Sequence, residues 1–379
     1  MTFIKISAVY SYLKASKRST QKPQKTLANM SDPDAVKLSL SKEEIELYDR
    51  QIRLWGISAQ QRIRASKVLL YNLGGCGTEI TKNLVLSGVG SLTIYDSHLL
   101  SEDDLFNQFF ISKDDELDVP RLQHAKPRIQ DMNPRVEVNC VSSTNLLNDL
   151  DAIKNYDMVI VTECNDAQTI EAINNTSREF KIPFYLCGGN GLYGYCFIDL
   201  IEFISTDEKL KNGNIRTRPG KLSENKEILE VVERTDEEDH GKVYEVIRTK
   251  NIYKPFCDML KFDPLTLSQQ MTKRQLRKIT NALPLTLANF NAKGTNISAA
   301  TAQQVAQELG LPVSDSYNLS ADFIATFNRM KNIEYPPVNA IIGGAVAQDV
   351  INVLGKQESP LNNFLVFDSN TLEMPILEL

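Results

Sequence analysis

The chain has 379 residues, 42% hydrophobic and 24% charged, with a formal net charge of -6. This is the balance of a globular protein of roughly two to three domains. It argues against non-specific nucleic-acid binding, which needs a basic face, and no apolar run approaches the ~20 residues of a membrane span. The six cysteines (Cys76, Cys140, Cys164, Cys187, Cys196 and Cys257) contain no CxxC pair, the pattern of free, mostly buried thiols in a reducing compartment and not of a zinc site. His98, His124 and His240 are too dispersed for a metal site and read as solvated surface.

Residues 1–40 are serine-rich and basic (Lys5, Lys14, Lys17, Arg18, Lys22, Lys25), with no acid before Asp32. They read as a disordered tail, or as sequence ahead of a true start at Met30; the composition also fits an organellar transit peptide. Ser41-Lys42-Glu43-Glu44 is a capping box that starts a helix carrying Ile45, Leu47 and Tyr48, with Arg50 at its end. A short helix over 58–65 and a strand over 67–72 follow. The strand runs into Leu73-Gly74-Gly75-Cys76-Gly77 and a helix over 78–87 with an Ile80, Leu84, Val85 stripe. Strand 91–95 closes on Asp96, about twenty residues past the loop, which completes a βαβ unit of the phosphate-binding kind.

Further strands are expected at 136–141, 158–162, 183–187 and 193–204, with a helix at 166–180. That alternation predicts a mostly parallel sheet with helices on both faces. Residues 206–250 read as a charged, irregular and partly flexible surface insert, densest at Arg234–Asp239. Helices are expected at 271–282, 299–309 and 321–330. Pro336-Pro337 starts a buried helix over 338–354 whose small residues, Gly343-Gly344 among them, suit close packing. Strands 364–368 and 372–377 end the sheet.

Three motifs in this order resemble the adenylation fold of ubiquitin-like-protein activating enzymes, related to bacterial ThiF and MoeB: Tyr48–Gly56, Leu192–Ile204 and Ala340–Asp368. Residues 41–379 carry the resemblance, and they are similar to the smaller, regulatory subunit of the heterodimeric SUMO-activating enzyme in its yeast form. The resemblance implies a Rossmann-like α/β fold, with a pseudo-adenylation domain over 41–205 and 333–379 and an insert over 206–332 made of a charged loop followed by helices. It implies a larger catalytic subunit as heterodimer partner, SUMO bound through the complex, and a location in the nucleus, with the cytoplasm as a second site. ATP and Mg would be held by the partner.

Against the family pattern, Asn72 stands at the first glycine of the loop. Asp104-Leu105-Phe106-Asn107-Gln108-Phe109 puts Phe106 at a polar ligand and Asn107 at an arginine, and Gln123 stands where the catalytic lysine is expected. The magnesium-binding aspartate falls at Asn165-Asp166, with Asn165 the preferred register. Gly74, Gly75, Gly77 and Asp96 therefore read as a vestigial loop, with no metal site, and Cys257 as a buried apolar thiol. The resemblance assigns Arg50 to ATP phosphates held by the partner, as a catalytic arginine supplied in trans. Alternatives are a self-sufficient ThiF-type adenylating enzyme, a scaffold without catalytic residues, and an NAD-dependent oxidoreductase supported only by the loop and Asp96.

Overall fold

A computed structural model describes residues 40–143, 145–211, 217–236, 242–262, 267, 271–276, 279–311, 319–356 and 358–379. The expectations for the basic tail, Met30 and His240 lie outside these residues. Helix α1 (Lys42–Leu47) is opened by the predicted capping box, with Glu44 N donating to Ser41 Oγ at 3.2 Å and Ser41 N donating to Glu44 Oε2 at 2.9 Å. The chain then turns into α2 (Asp49–Trp55) and α3 (Ile57–Ala65). Arg50 thus lies in the first turn of a second helix and not at the end of the first. Tyr48 anchors this hairpin of helices, since its buried hydroxyl accepts from Asn133 Nδ2 at 2.9 Å.

The main sheet contains β1 (Lys67–Tyr71), β2 (Ser91–Tyr95), β3 (Glu137–Val141), β4 (Met158–Thr162), β5 (Phe184–Asn190), β6 (Tyr193–Asp199), and, near the C-terminal end, strands Phe364–Asp368 and Ile376–Leu377. Its order, in those terms, is Ile376–Leu377, Phe364–Asp368, β6, β5, β4, β1, β2, β3. The five strands from β3 to β5 are parallel and the remaining pairings antiparallel. The period of two is visible in β1: Val68 and Leu70 join one buried cluster and Leu69 the other, so both faces are covered. On one face pack α3, α4 (Gly75–Ser87), α5 (Arg121–Met132) and a 20-residue helix Pro336–Gly355; on the other α6 (Ala167–Glu179) and the helices Ala282–Asn291, Ala299–Glu308 and Ala321–Met330.

Several expectations need correction. The described residues of 206–250 are no irregular loop: β7 (Glu202–Leu210), β8 (Gly220–Lys221), β9 (Lys226–Asp236) and β10 (Lys242–Ile252) form a separate antiparallel sheet in the order β7-β10-β9-β8, while 237–239 of the expected charge run lie outside the described residues. Its charges are cross-strand partners, with Arg234 paired to Glu208 at 2.6 Å, Lys250 to Glu202 at 2.8 Å and Arg248 to Glu230 at 3.3 Å. The expected strand 193–204 breaks after Asp199, where Ile201 takes φ 64°, so that the chain leaves the main sheet and enters the second. Among the described residues of the helix expected over 271–282 there is a single turn, Lys273–Leu276, followed by α7 (Ala282–Asn291), where Pro284 sits in the first turn and needs no hydrogen-bonded N–H. After α8 (Ala299–Glu308) and α9 (Ala321–Met330), α10 (Pro336–Gly355) is long and apolar enough by composition to cross a membrane, against the sequence expectation; it is a core helix, buried through Val338, Ile342, Val346 and Val350. β11 (Phe364–Asp368) matches its expected bounds, while β12 (Ile376–Leu377) is only the end of the strand expected at 372–377.

Candidate functional site

The order of the parallel strands reverses between β1 and β4, and a crevice opens at their carboxyl ends, the usual ligand position of such a sheet. Asn72, at φ 71°, leaves β1 there. Its Nδ2 donates to the Thr162 carbonyl at 3.0 Å, and Thr162 Oγ1 donates to the Asn72 carbonyl at 2.7 Å, so the two strand ends are tied together. Asparagine tolerates this left-handed backbone better than most side chains. Helix α4 then starts at Gly75, with its first N–H groups lacking intrahelical partners and its dipole favouring an anion.

Those amides are taken by the protein itself. Gly75 N donates to Glu334 Oε2 at 2.6 Å, and Cys76 N donates to Glu163 Oε1 at 2.7 Å. Gly74 is required by this arrangement: a Cβ there would lie 2.6 Å from Glu163 Oε2 and 2.7 Å from Glu334 Oε1. Burial, and after it the negative charge of Glu334, pushes the Glu163 carboxyl up to about 8, and burial likewise raises Glu334. A cavity of about 240 Å³ adjoins the pair, lined in part by Asn72, His98, Asp104, Arg121, Asn165 and Gly189. A nucleotide phosphate on this loop would find these amides taken and two carboxyl groups as its nearest neighbours.

Asp96, at the end of β2, is equally committed. It accepts from Leu73 N at 2.7 Å and His98 N at 2.8 Å, and Arg121 Nε donates to it at 2.7 Å. Burial alone would raise Asp96; the His98 contacts and the Arg121 guanidinium outweigh it and hold the carboxyl at about 2. Arg121 reaches on to Asp104 Oδ1 at 2.8 Å, so both sides of its fork are used.

The structure brings Gly74, Gly75, Gly77 and Asp96 together as the sequence suggested. Asn165 also reaches the crevice, accepting from the Tyr195 hydroxyl at 2.9 Å, whereas Asp166 caps α6 by accepting from Thr169 N at 2.9 Å. Gln123 is exposed in the first turn of α5, and Phe106 is 78% exposed. Asn107 only donates to the Asp103 carbonyl at 3.3 Å. Cys257 is half-buried, and burial raises its thiol. His124, expected on the surface, is mostly covered and lies 3.5 Å from Asp115. Among the described residues, no group of three or more His, Cys, Asp or Glu stands where it could hold a metal.

Arg50 stands apart from this crevice. It is exposed on α2 and makes no hydrogen bond or ion pair among the described residues. Glu163, Glu334 and the Arg121 partnership escaped sequence reading. The Gly75–Glu334 contact spans 259 positions, so no local motif announces it. Arg121 did carry a signal, since it stands two places before the expected lysine position.

The ThiF family profile matches residues 48–379. The chain is similar to the DNA damage tolerance protein RHC31 of Saccharomyces cerevisiae, with 49% identity over 89% of this chain and 98% of that protein. It is 31% identical to the DNA damage tolerance protein rad31 of Schizosaccharomyces pombe, over 90% of this chain and 99% of that one. SUMO-activating enzyme subunit 1 of Homo sapiens is 30% identical over 87% of this chain and 93% of its own length. Among solved structures, PaaA superposes with a TM-score of 0.50 at 15% identity, covering 97% of this chain and 82% of PaaA, a likeness of fold alone. The chain belongs to the ThiF family, and within it to the proteins of the SUMO-activating enzyme subunit 1 type.

Proposed function

We propose that this chain is the smaller, regulatory subunit of a heterodimeric SUMO-activating enzyme. The dimer joins the C-terminal glycine carboxylate of SUMO to AMP from ATP and then passes SUMO to a cysteine of the larger subunit. ATP and Mg are held by that larger subunit, and this chain's own nucleotide site is inactive. The observation that carries the reading is the pair of carboxyl groups on the glycine loop. Adenylate formation builds negative charge at phosphate, which needs cations and free amides; this loop offers Glu163 and Glu334 instead, and its one buried guanidinium, Arg121, is bound to Asp96 and Asp104. The α1–α2 segment, whose helices bury no residue, supports a role in trans for Arg50, whose fork is exposed and uncommitted.

Pyrophosphate exchange by the assembled dimer tests this. Arg50→Ala is expected to leave the heterodimer intact and slow adenylation by on the order of 10²-fold or more, the scale of arginine-finger effects. Arg50→Lys restores only part of the rate, because a point charge replaces a planar fork. A wild-type rate in an intact Arg50→Ala dimer leaves the scaffold reading in its place, and exchange by the purified chain alone would establish a self-sufficient enzyme.

A further inference from the structure

Building on the reading that this chain's own loop holds no nucleotide, we propose that Glu163 and Glu334 are a resident anion plug that shares one proton and takes the place of a nucleotide's phosphates on the α4 amides. Each carboxyl gives one oxygen to one amide of the first turn, Glu334 to Gly75 and Glu163 to Cys76. The other two oxygens converge over Gly74. Glu163 Oε2 is buried there and accepts no hydrogen bond. Two carboxylates so placed repel, while a carboxylic acid beside a carboxylate does not.

The plug is also held from behind. Glu334 sits on a strap between α9 and α10. Asn332, at φ 60°, donates its N–H to Asn190 Oδ1 at 3.0 Å and accepts from Asn289 Nδ2 at 2.9 Å. Gly191 N donates to the Ile333 carbonyl at 2.9 Å. The turn after β5 and helix α7 thereby fix the strap over the loop. The titratable groups that influence the pair are Cys76 on α4, His98 and Asp104 on the crossover, Arg121 on α5 and Tyr195 on β6. Among them Arg121 is the one permanent cation, and it is already committed to Asp96 and Asp104.

The test uses the purified full chain with inorganic pyrophosphate as probe, followed by thermal unfolding and calorimetry. Wild type is expected not to respond at millimolar pyrophosphate. Glu334→Ala frees the Gly75 amide and removes a negative charge, and its melting temperature should rise by about 2–4 °C in saturating pyrophosphate. Glu334→Gln keeps an oxygen for the Gly75 N–H, and should refuse the probe as wild type does. A folded Glu334→Ala that ignores pyrophosphate while wild type also ignores it overturns the plug and leaves the inactive-site reading standing; binding by wild type removes both. Should Glu334→Ala not fold, pH decides. Because Glu163 is raised in the fold, its contribution to stability is complete below its unfolded value of 4.5 and is lost as pH rises through about 8. Wild type should therefore lose stability between about pH 5 and about pH 9, roughly the span of that shift, and Glu334→Gln should lose less, because burial still raises Glu163 while the neighbouring charge is gone. An equal loss in both overturns the shared proton.

Discussion

At the scale of the residue, charge is committed inward at the crevice and left free at Arg50. Asp96 and Arg121 are both buried, and each has its hydrogen-bonding capacity largely used. Removing one partner leaves the other charge stranded, which costs about 3–5 kcal/mol in buried pairs. Arg121→Ala should accordingly lose stability of about that size in urea unfolding, and Arg121→Met, which also leaves Asp96 unpaired, should be no better; a loss below about 1 kcal/mol would place the pair with surface bridges instead. The same pair sets an acid limit. Asp96 is lowered to about 2 from 3.8, so its contribution is present above 3.8 and disappears as pH falls through about 2. Asp96 itself was legible, because the βαβ spacing gives its position. Its partner was not, since nothing in Pro120-Arg121-Leu122-Gln123 distinguishes a guanidinium turned inward from one left in solvent.

Elements with a strong period were legible from the sequence, and those defined by long-range pairing were not. β1, α4 and β2 follow from an apolar strand, a glycine turn and a helical stripe, each complete within a few residues. β7, β9 and β10 mix charged and apolar residues without a clean period, and their charges read as a solvated loop until the strands pair and Glu202, Glu208 and Glu230 meet Lys250, Arg234 and Arg248. Helix α10 shows a finer distinction. Its adjacent glycines Gly343 and Gly344 read alike in sequence, as small residues for close packing, yet they differ in the fold. A Cβ on Gly343 would lie 2.6 Å from Glu79 Cβ and 3.1 Å from the Cys76 carbonyl, while one on Gly344 would meet nothing within 4 Å. Gly343→Ala should then destabilise by about 1–3 kcal/mol through overpacking of α10 on α4. Gly344→Ala should be neutral or stabilise by up to ~1 kcal/mol, the helix-propensity difference. Chemical denaturation of the two variants side by side checks the contrast, and equal losses would mean that the helices are not packed as described.

For the whole molecule, two stretches outside the core leave large apolar side chains uncovered. Leu47, Leu54 and Ile57 on the helical hairpin are 58%, 56% and 45% exposed, and Leu99, Phe106 and Phe109 on the crossover are 54%, 78% and 50% exposed. Single exposed leucines are ordinary, but several large apolar groups concentrated on two segments mark an interaction surface. Arg50 lies on the first of these segments, where the proposed role in trans requires the partner to dock. On the proposed reading, the crevice of this chain, occupied by its own carboxyl groups, would not compete for the same nucleotide. We therefore expect a 1:1 heterodimer with the larger subunit, burying at least ~2,000 Å² as obligate pairs do. Leu54→Asp and Phe106→Asp place charges on exposed positions, so they should leave the isolated chain folded while weakening association, a change read directly by sedimentation velocity across a concentration series. Retention of full association by the double variant would move the interface elsewhere, and a chain that stays monomeric in the presence of the larger subunit would remove the partnership on which the role of Arg50 depends.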